Sequence, residues 1–162
     1  MGCLFGRGKY SSAGQSSCHD CQAGKFSAGT ANGGCVDCEA GKAEDKEGQS
    51  LCGLTCGAGR YSGKGATACV DCAPGRYEAE EGQSSCRSEC GAGTYSSAGQ
   101  SECSTCVKGT YQDGSGQNAC KACPKGTYGD AAEFTSAAQC KNCGAGGYSS
   151  LTGITSDSQC TA

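Results

Sequence analysis

Eighteen cysteines in 162 residues are the part of this sequence with chemistry to do. Most come in close pairs. Cys18/Cys21, Cys35/Cys38, Cys69/Cys72, Cys103/Cys106, Cys120/Cys123 and Cys140/Cys143 enclose two residues each, and Cys52/Cys56 and Cys86/Cys90 enclose three. A C-x2-C knuckle can ligate zinc, cycle as a redox pair, or mark the border between two disulfide-closed loops. Zinc sites made from neighbouring knuckles would use Cys18 through Cys143 in four groups and leave Cys3 and Cys160 over. A redox pair of the thioredoxin kind needs a supporting α/β fold. Loop closure uses every cysteine: Cys3–Cys18, Cys21–Cys35, Cys38–Cys52, Cys56–Cys69, Cys72–Cys86, Cys90–Cys103, Cys106–Cys120, Cys123–Cys140 and Cys143–Cys160. These nine bridges are the expectation, with no metal and no cofactor. Bridges crossing between loops, such as Cys21–Cys38 with Cys35–Cys52, are the alternative.

Other chemistry is sparse. His19 is the single histidine and sits between Cys18 and Cys21, so no nucleophile–histidine–acid set can be assembled around it. The carboxylates show no calcium-loop spacing. Asn32, Asn118 and Asn142 all lack the N-x-S/T context, which leaves only O-linked glycans on the abundant Ser and Thr. The opening Met-Gly-Cys has Gly6 where an acylation signal needs Ser or Thr. We therefore expect a protein that is not an enzyme.

The composition says what must position these cysteines. Leu, Ile, Val and Phe number eleven in all, far below the roughly 20% under which a hydrophobic core fails. Twenty-nine glycines make long helices unfavourable. Cysteine at one residue in nine decides for covalent stapling over disorder, and stapling on this scale belongs to an oxidising, extracellular compartment. Closing a loop of about 15 residues contributes about 3 kcal/mol in the chain-entropy model. A net charge of −3, with both signs mixed along the chain, gives no basic face for nucleic acid. No stretch approaches the roughly 20 apolar residues of a membrane span, so membrane insertion is not expected.

Between the cysteines the chain repeats itself about every 17 residues. The units are 3–18, 21–35, 38–52, 56–69, 72–86, 90–103, 106–120, 123–140 and 143–160, called repeats one to nine below. A glycine follows the opening cysteine by three in repeats two to nine, and two residues further comes an aromatic ring. The rings are Phe26, Tyr61, Tyr77, Tyr95, Tyr111, Tyr128 and Tyr148, with Tyr10 at the same place in repeat one and Ala43 as the exception in repeat three. The regular register predicts that each ring is the small core of its loop, covering the bridge. Gly-Gln-Ser at Gly14, Gly48, Gly82 and Gly99 reads as a turn, so ring, turn and closing cysteine read as a short irregular β-hairpin. Such a chain should behave as a stack coupled through nearest neighbours.

The pattern C-x2-G-[KRT]-[YF]-S, followed by G-Q-S-x-C-x2-C, resembles the ephrin-receptor-like cysteine-rich repeat, of the growth-factor-receptor and tumour-necrosis-factor-receptor kind. Repeats of this type also occur in matrix and surface proteins of algae and protists. Cys3 departs from it by lying two residues early, with Phe5 at the expected place, and Ala43 departs by lacking the ring. The resemblance implies loops that close locally and stack into a thin rod.

The fold class expected is therefore small and disulfide-rich: about nine short loop and hairpin units stacked into an elongated rod with almost no helix. They form one continuous array over 1–162 that reads as a segment of a longer extracellular protein. The function expected is structural, a spacer or the building unit of a surface filament or matrix. The stalk or ligand-binding ectodomain of a receptor is the alternative. Self-association, or association with other matrix proteins, is the expected partnership. Phe134, Leu151 and Ile154, rare apolar residues in the two longest loops, are the candidate contact residues at projecting tips.

Overall fold

The computed structural model describes residues 7–11, 17–29 and 34–161. The expected Cys3–Cys18 bridge falls outside the described residues because Cys3 does. The chain forms two compact units. The first comprises Met1–Cys72 with Glu78–Cys86, and the second Ala73–Tyr77 with Arg87–Ala162.

Repeats two to nine each start with the same turn. In Gln22–Lys25 the N–H of Lys25 donates to the carbonyl of Gln22 at 3.1 Å, with Gly24 third at φ +80°. That is the signature of a type II turn, which needs a residue tolerant of positive φ at its third place. Pro74, second in the turn that ends at Arg76, supplies the preset φ that this turn favours. Thr94, Thr110 and Thr127, fourth in their turns, also bond back through their hydroxyls to Gly91, Val107 and Pro124.

The turn delivers a two-residue strand that holds the ring. In the first unit Lys9–Tyr10 pairs with His19–Asp20, Lys25–Phe26 with Val36–Asp37, Lys42–Ala43 with Leu54–Thr55, and Arg60–Tyr61 with Val70–Asp71, all antiparallel. In the second unit Arg76–Tyr77 pairs with Ser88–Glu89, Thr94–Tyr95 with Ser104–Thr105, Thr110–Tyr111 with Lys121–Ala122, and Thr127–Tyr128 with Lys141–Asn142. The hairpin therefore differs from the one expected. Its second strand is the spacer beyond the closing cysteine, so the closing cysteine lies within the hairpin loop and the opening cysteine ahead of the first strand.

Eight bridges are described: Cys21–Cys35, Cys38–Cys52, Cys56–Cys69, Cys72–Cys86, Cys90–Cys103, Cys106–Cys120, Cys123–Cys140 and Cys143–Cys160. Each joins the first and last cysteine of one repeat, and the fold is small, disulfide-rich and built of tandem units. Two single turns of 3-10 helix, Ala137–Gln139 and Asp157–Gln159, occupy the extra length of the last two repeats. The Gln139 side chain accepts the N–H groups of Thr135 and Ser136, and Gln159 those of Thr155 and Ser156.

What is buried is not what a hydrophobic reading expects. The opening cysteines Cys21, Cys38, Cys56, Cys72, Cys90, Cys106 and Cys123 are sealed from solvent, and so is the residue after the ring in most repeats: Ser27, Glu44, Ser62, Ser96, Gln112 and Ser149. The rings are only half-buried, and Tyr148 is 55% exposed. Too little apolar surface exists to enclose eight rings, so the interior is sulfur and hydrogen-bonded backbone, and each ring lies across it as a partial cover. Ala43 is fully buried in the place of a ring.

Positive φ and close approach coincide at the turn glycine. A Cβ built on Gly75, at φ +81°, would lie 2.0 Å from the carbonyl oxygen of Gly116. We expect Gly75→Ala to destabilise the oxidised protein by at least about 2 kcal/mol, since the left-handed conformation alone costs an L-residue roughly 1–2 kcal/mol. Glu133 is the converse case: it holds φ +62° at a tip position where other repeats have glycine. Glu133→Gly should gain up to about 1 kcal/mol. Denaturant unfolding under non-reducing conditions measures both.

Candidate functional site

The recurring functional element is the joint by which one repeat holds the next, and the turn glycine is at its centre. In the first unit Gly8, Gly24, Gly41 and Gly59 donate their N–H to the carbonyls of Ser27, Glu44, Ser62 and Glu78 at 2.7–2.9 Å. In the second, Gly75, Gly93, Gly109 and Gly126 donate to Ser96, Gln112, Gly129 and Ser149 at 2.8–2.9 Å. Each of these glycines also accepts, through its own carbonyl, the N–H of the next opening cysteine at 2.8–3.0 Å, as in Cys21 to Gly8 and Cys143 to Gly126. The acceptor is always the residue after the next ring, which is why that residue is buried. Ser62 and Ser96 add a hydroxyl bond back to the strands of the preceding repeats, at Lys42 and Arg76.

The loop tips reach one joint further. The N–H groups of Gly48, Gly65 and Gly82 donate to the carbonyls of Cys21, Cys38 and Cys56, and Gly116, Glu133 and Gly153 do the same for Cys90, Cys106 and Cys123. The tip carbonyl then rests on a turn glycine two repeats back: Gly48 on Gly8, Gly65 on Gly24, Gly82 on Gly41, Gly116 on Gly75, Gly153 on Gly109. Coupling therefore extends to second neighbours, beyond the nearest-neighbour stack expected. Periodicity in a sequence reports spacing along the chain, and the reach of a loop tip is a matter of its fold.

Charge is arranged across the hairpins. Lys9 faces Asp20, Lys25 faces Asp37, Arg60 faces Asp71 and Arg76 faces Glu89, each pair directly opposed in the register and joined by a salt bridge. Opposed unlike charges of this kind support a two-stranded ladder modestly. Asp37 also receives Lys64 from the loop of repeat four at 3.7 Å. The hydrogen bond from Lys25, then its charge and the smaller contribution of Lys64, hold the Asp37 carboxyl below the ordinary range. Asp113 is lowered by its hydrogen bond from Lys121, and Asp130 by its bond from Lys141. The same bonds hold both lysines above their usual range. Opposite the rings stand His19, Val36, Val70, Ser88, Ser104, Lys121 and Lys141 in order. His19 thus lies on Tyr10, ring centroids 5.8 Å apart, and Lys121 lies 5.9 Å from the centre of Tyr111.

Small recesses open beside the rings at equivalent registers. One is lined by Tyr10, Gln22, Lys25, Gly34 and Cys35, a second by Phe26, Glu39, Lys42, Leu51 and Cys52, and a third by Tyr95, Thr105, Val107, Thr110, Ala119 and Cys120. Each combines the ring of one repeat with the bridge of the next. Cys143, Asp157 and Cys160 bring two sulfurs and a carboxylate within 4.8 Å of one another, but both sulfurs belong to one bridge and Asp157 accepts the N–H of Gly144.

The three apolar candidates separate. Phe134 and Ile154 are buried, at 7% and 4% exposure, while Leu151 is 65% exposed. Phe134 packs on Cys123, Cys140 and Tyr111, and its backbone bridges to Tyr111; Ile154 bridges to Tyr128 in the same way. Phe134 is thus folded onto the preceding ring and Ile154 is buried at a tip whose backbone bridges to Tyr128, and neither projects as a contact residue. The buried residue after the ring and the opposed charge pairs were missed from sequence. Both had a signal there: the S of the G-x-Y-S phrase, and the basic residue before the ring matched by an acid before the next opening cysteine.

With this geometry in place, residues 93–140 match the model of the family described as tyrosine-protein kinase ephrin type A/B receptor-like. That stretch covers repeats seven and eight whole with most of repeat six, and is similar to a cysteine-rich repeat of the ephrin-receptor-like type. No curated protein matches the chain.

Asp37 offers a direct test of the charge pairs. Its titration midpoint, followed by carbon-detected NMR, should fall below the ordinary aspartate value of about 3.9. Because the folded value lies below the unfolded one, the pairing stabilises at pH values above about 4 and is lost as pH falls through the folded midpoint. Asp37→Asn should remove that component of the pH dependence, and 1 M salt should shrink it.

Proposed function

We propose that the chain is an extracellular structural module, a disulfide-stapled repeat array that serves as a spacer or as the building unit of a surface filament or matrix. The observation that supports it best is the uniformity of the joint. The same two backbone hydrogen bonds recur at eight successive turn glycines, and side-chain identity enters little. An array whose joints repeat without variation suits a task in which number of units matters more than any one surface. So many bridges favour an oxidising compartment, where they persist. The match of residues 93–140 to a receptor-like repeat agrees with an extracellular module. Among the described residues no helix is long and apolar enough to cross a membrane.

Small-angle scattering on oxidised proteins carrying one, two or three extra copies of repeats six and seven tests the spacer role. The maximum dimension should rise in equal steps with each added pair. A dimension that saturates, or that grows only as the cube root of mass, overturns the reading.

A further inference from the structure

We infer that the recesses beside the rings are ports through which a low-molecular-weight thiol exchanges with the disulfide beneath and becomes bound to the closing cysteine, and that Phe134 plugs the equivalent port in repeat eight.

The two cysteines of one bridge differ in what covers them. Cys38 and Cys106, which open repeats three and seven, are sealed from solvent, while their partners Cys52 and Cys120 are half-buried. Each partner also lines a recess. The recess at Cys52, of about 390 Å³, lies between Phe26 and Leu51, with Glu39 and Lys42 beside them. The recess at Cys120, of about 190 Å³, lies among Tyr95, Val107 and Ala119. Among the described residues no opening cysteine lines either one. Both share a plan: the ring of one repeat on one side, the closing cysteine of the next on the other.

Repeat eight has the same plan and a different outcome. The corresponding walls are Tyr111 and Cys140, and Phe134 packs against both and against Cys123. Phe134 is 7% exposed and Cys140 8%. The chain's own side chain therefore occupies the place that stands open at Cys52 and Cys120.

Access decides which sulfur of a disulfide is attacked. Displacement at sulfur is in line, so the entering thiolate approaches from the side away from the leaving sulfur. At Cys120 that approach is open, and at Cys106 it is sealed. The thiolate forms a new S–S bond to the Cys120 sulfur, the Cys106–Cys120 bond breaks, and its electron pair leaves on the Cys106 sulfur. The proton given up by the entering thiol is returned there. The exchange consumes no oxidant, and it has a fixed direction and order. The captured thiol sits on the closing cysteine, the free thiol is the opening one, and Cys123–Cys140 reacts last of the three.

Limiting reduced glutathione, added to the full oxidised chain and quenched in acid at early times, tests this by peptide mapping. Trypsin cleaves after Lys46 and Lys108 and so separates the two cysteines of each open bridge. Glutathione should appear on Cys52 and Cys120 and free thiol on Cys38 and Cys106, with Cys140 at least about tenfold slower. Phe134→Ala should raise the rate at Cys140 about tenfold, and an unchanged rate at Cys52 shows that the chain has not simply unfolded. Ala119→Phe, at an exposed position on the wall of the second recess, should slow Cys120 about as much and leave Cys52 alone. Glutathione found on Cys38 or Cys106 as often as on their partners overturns the inference. So does a Cys140 as reactive as Cys120 in the parent chain, or a rate at Cys120 that Ala119→Phe does not change.

Discussion

Each of the eight described joints depends on one reciprocal pair of hydrogen bonds made by a single residue. The turn glycine gives its N–H to the carbonyl after the next ring and takes the N–H of the next opening cysteine. Both partners are backbone, so the bond demands a position and not a side chain. The position demands glycine, because the conformation has positive φ and because a tip carbonyl from two repeats on lies where a Cβ would stand. At Cys21, Cys38, Cys56, Cys90, Cys106 and Cys123 the N–H, the carbonyl and the sulfur are all engaged at once, and these cysteines are buried. Bridge, turn and joint are thus one unit of structure, and the ring is an accessory to it.

This explains how a chain with so few aliphatic residues folds at all. Each bridge removes about 3 kcal/mol of loop entropy from the unfolded chain before any packing is needed. What remains is satisfied by hydrogen bonds whose donors and acceptors are sealed together. Among the described residues no buried side-chain polar atom lacks a partner. Even Glu44, with Ala43 in the place of a ring, is accounted for: its carboxylate accepts the N–H groups of Gly53 and Lys46 across its own loop.

Much of this was legible in the sequence, and the limits are physical. The cysteine groups, the glycine three residues on and the ring two further are spacings, and spacings survive translation into structure because the turn is local. The burial of Ser27, Ser62 and Ser96 was not legible, because a small polar residue looks the same on a surface as in a backbone-lined interior. The spacer strands were hidden for a related reason. Two residues such as Ser104–Thr105 carry no alternation, and become a strand only because the ring residue of their own repeat lies opposite. Phe134 and Ile154 misled because an apolar residue in a long loop is ambiguous: it projects if nothing is near, and folds back if a half-covered ring lies within reach. Tyr111 and Tyr128 lay within reach.

The placement of each bridge has a mechanical consequence. Tension applied along the chain passes through the sulfurs and not around the loop. Between Cys21 and Cys35 the Cα atoms are 5.6 Å apart, although the fourteen peptide links between them would span about 48 Å if drawn straight. A pulled chain with its bridges intact therefore gains length only from the short spacers, and each loop keeps back roughly 40 Å of slack. A reducing agent would release that reserve one loop at a time. The thiol–disulfide balance of the surroundings thus sets the extensibility of the chain as well as its stability.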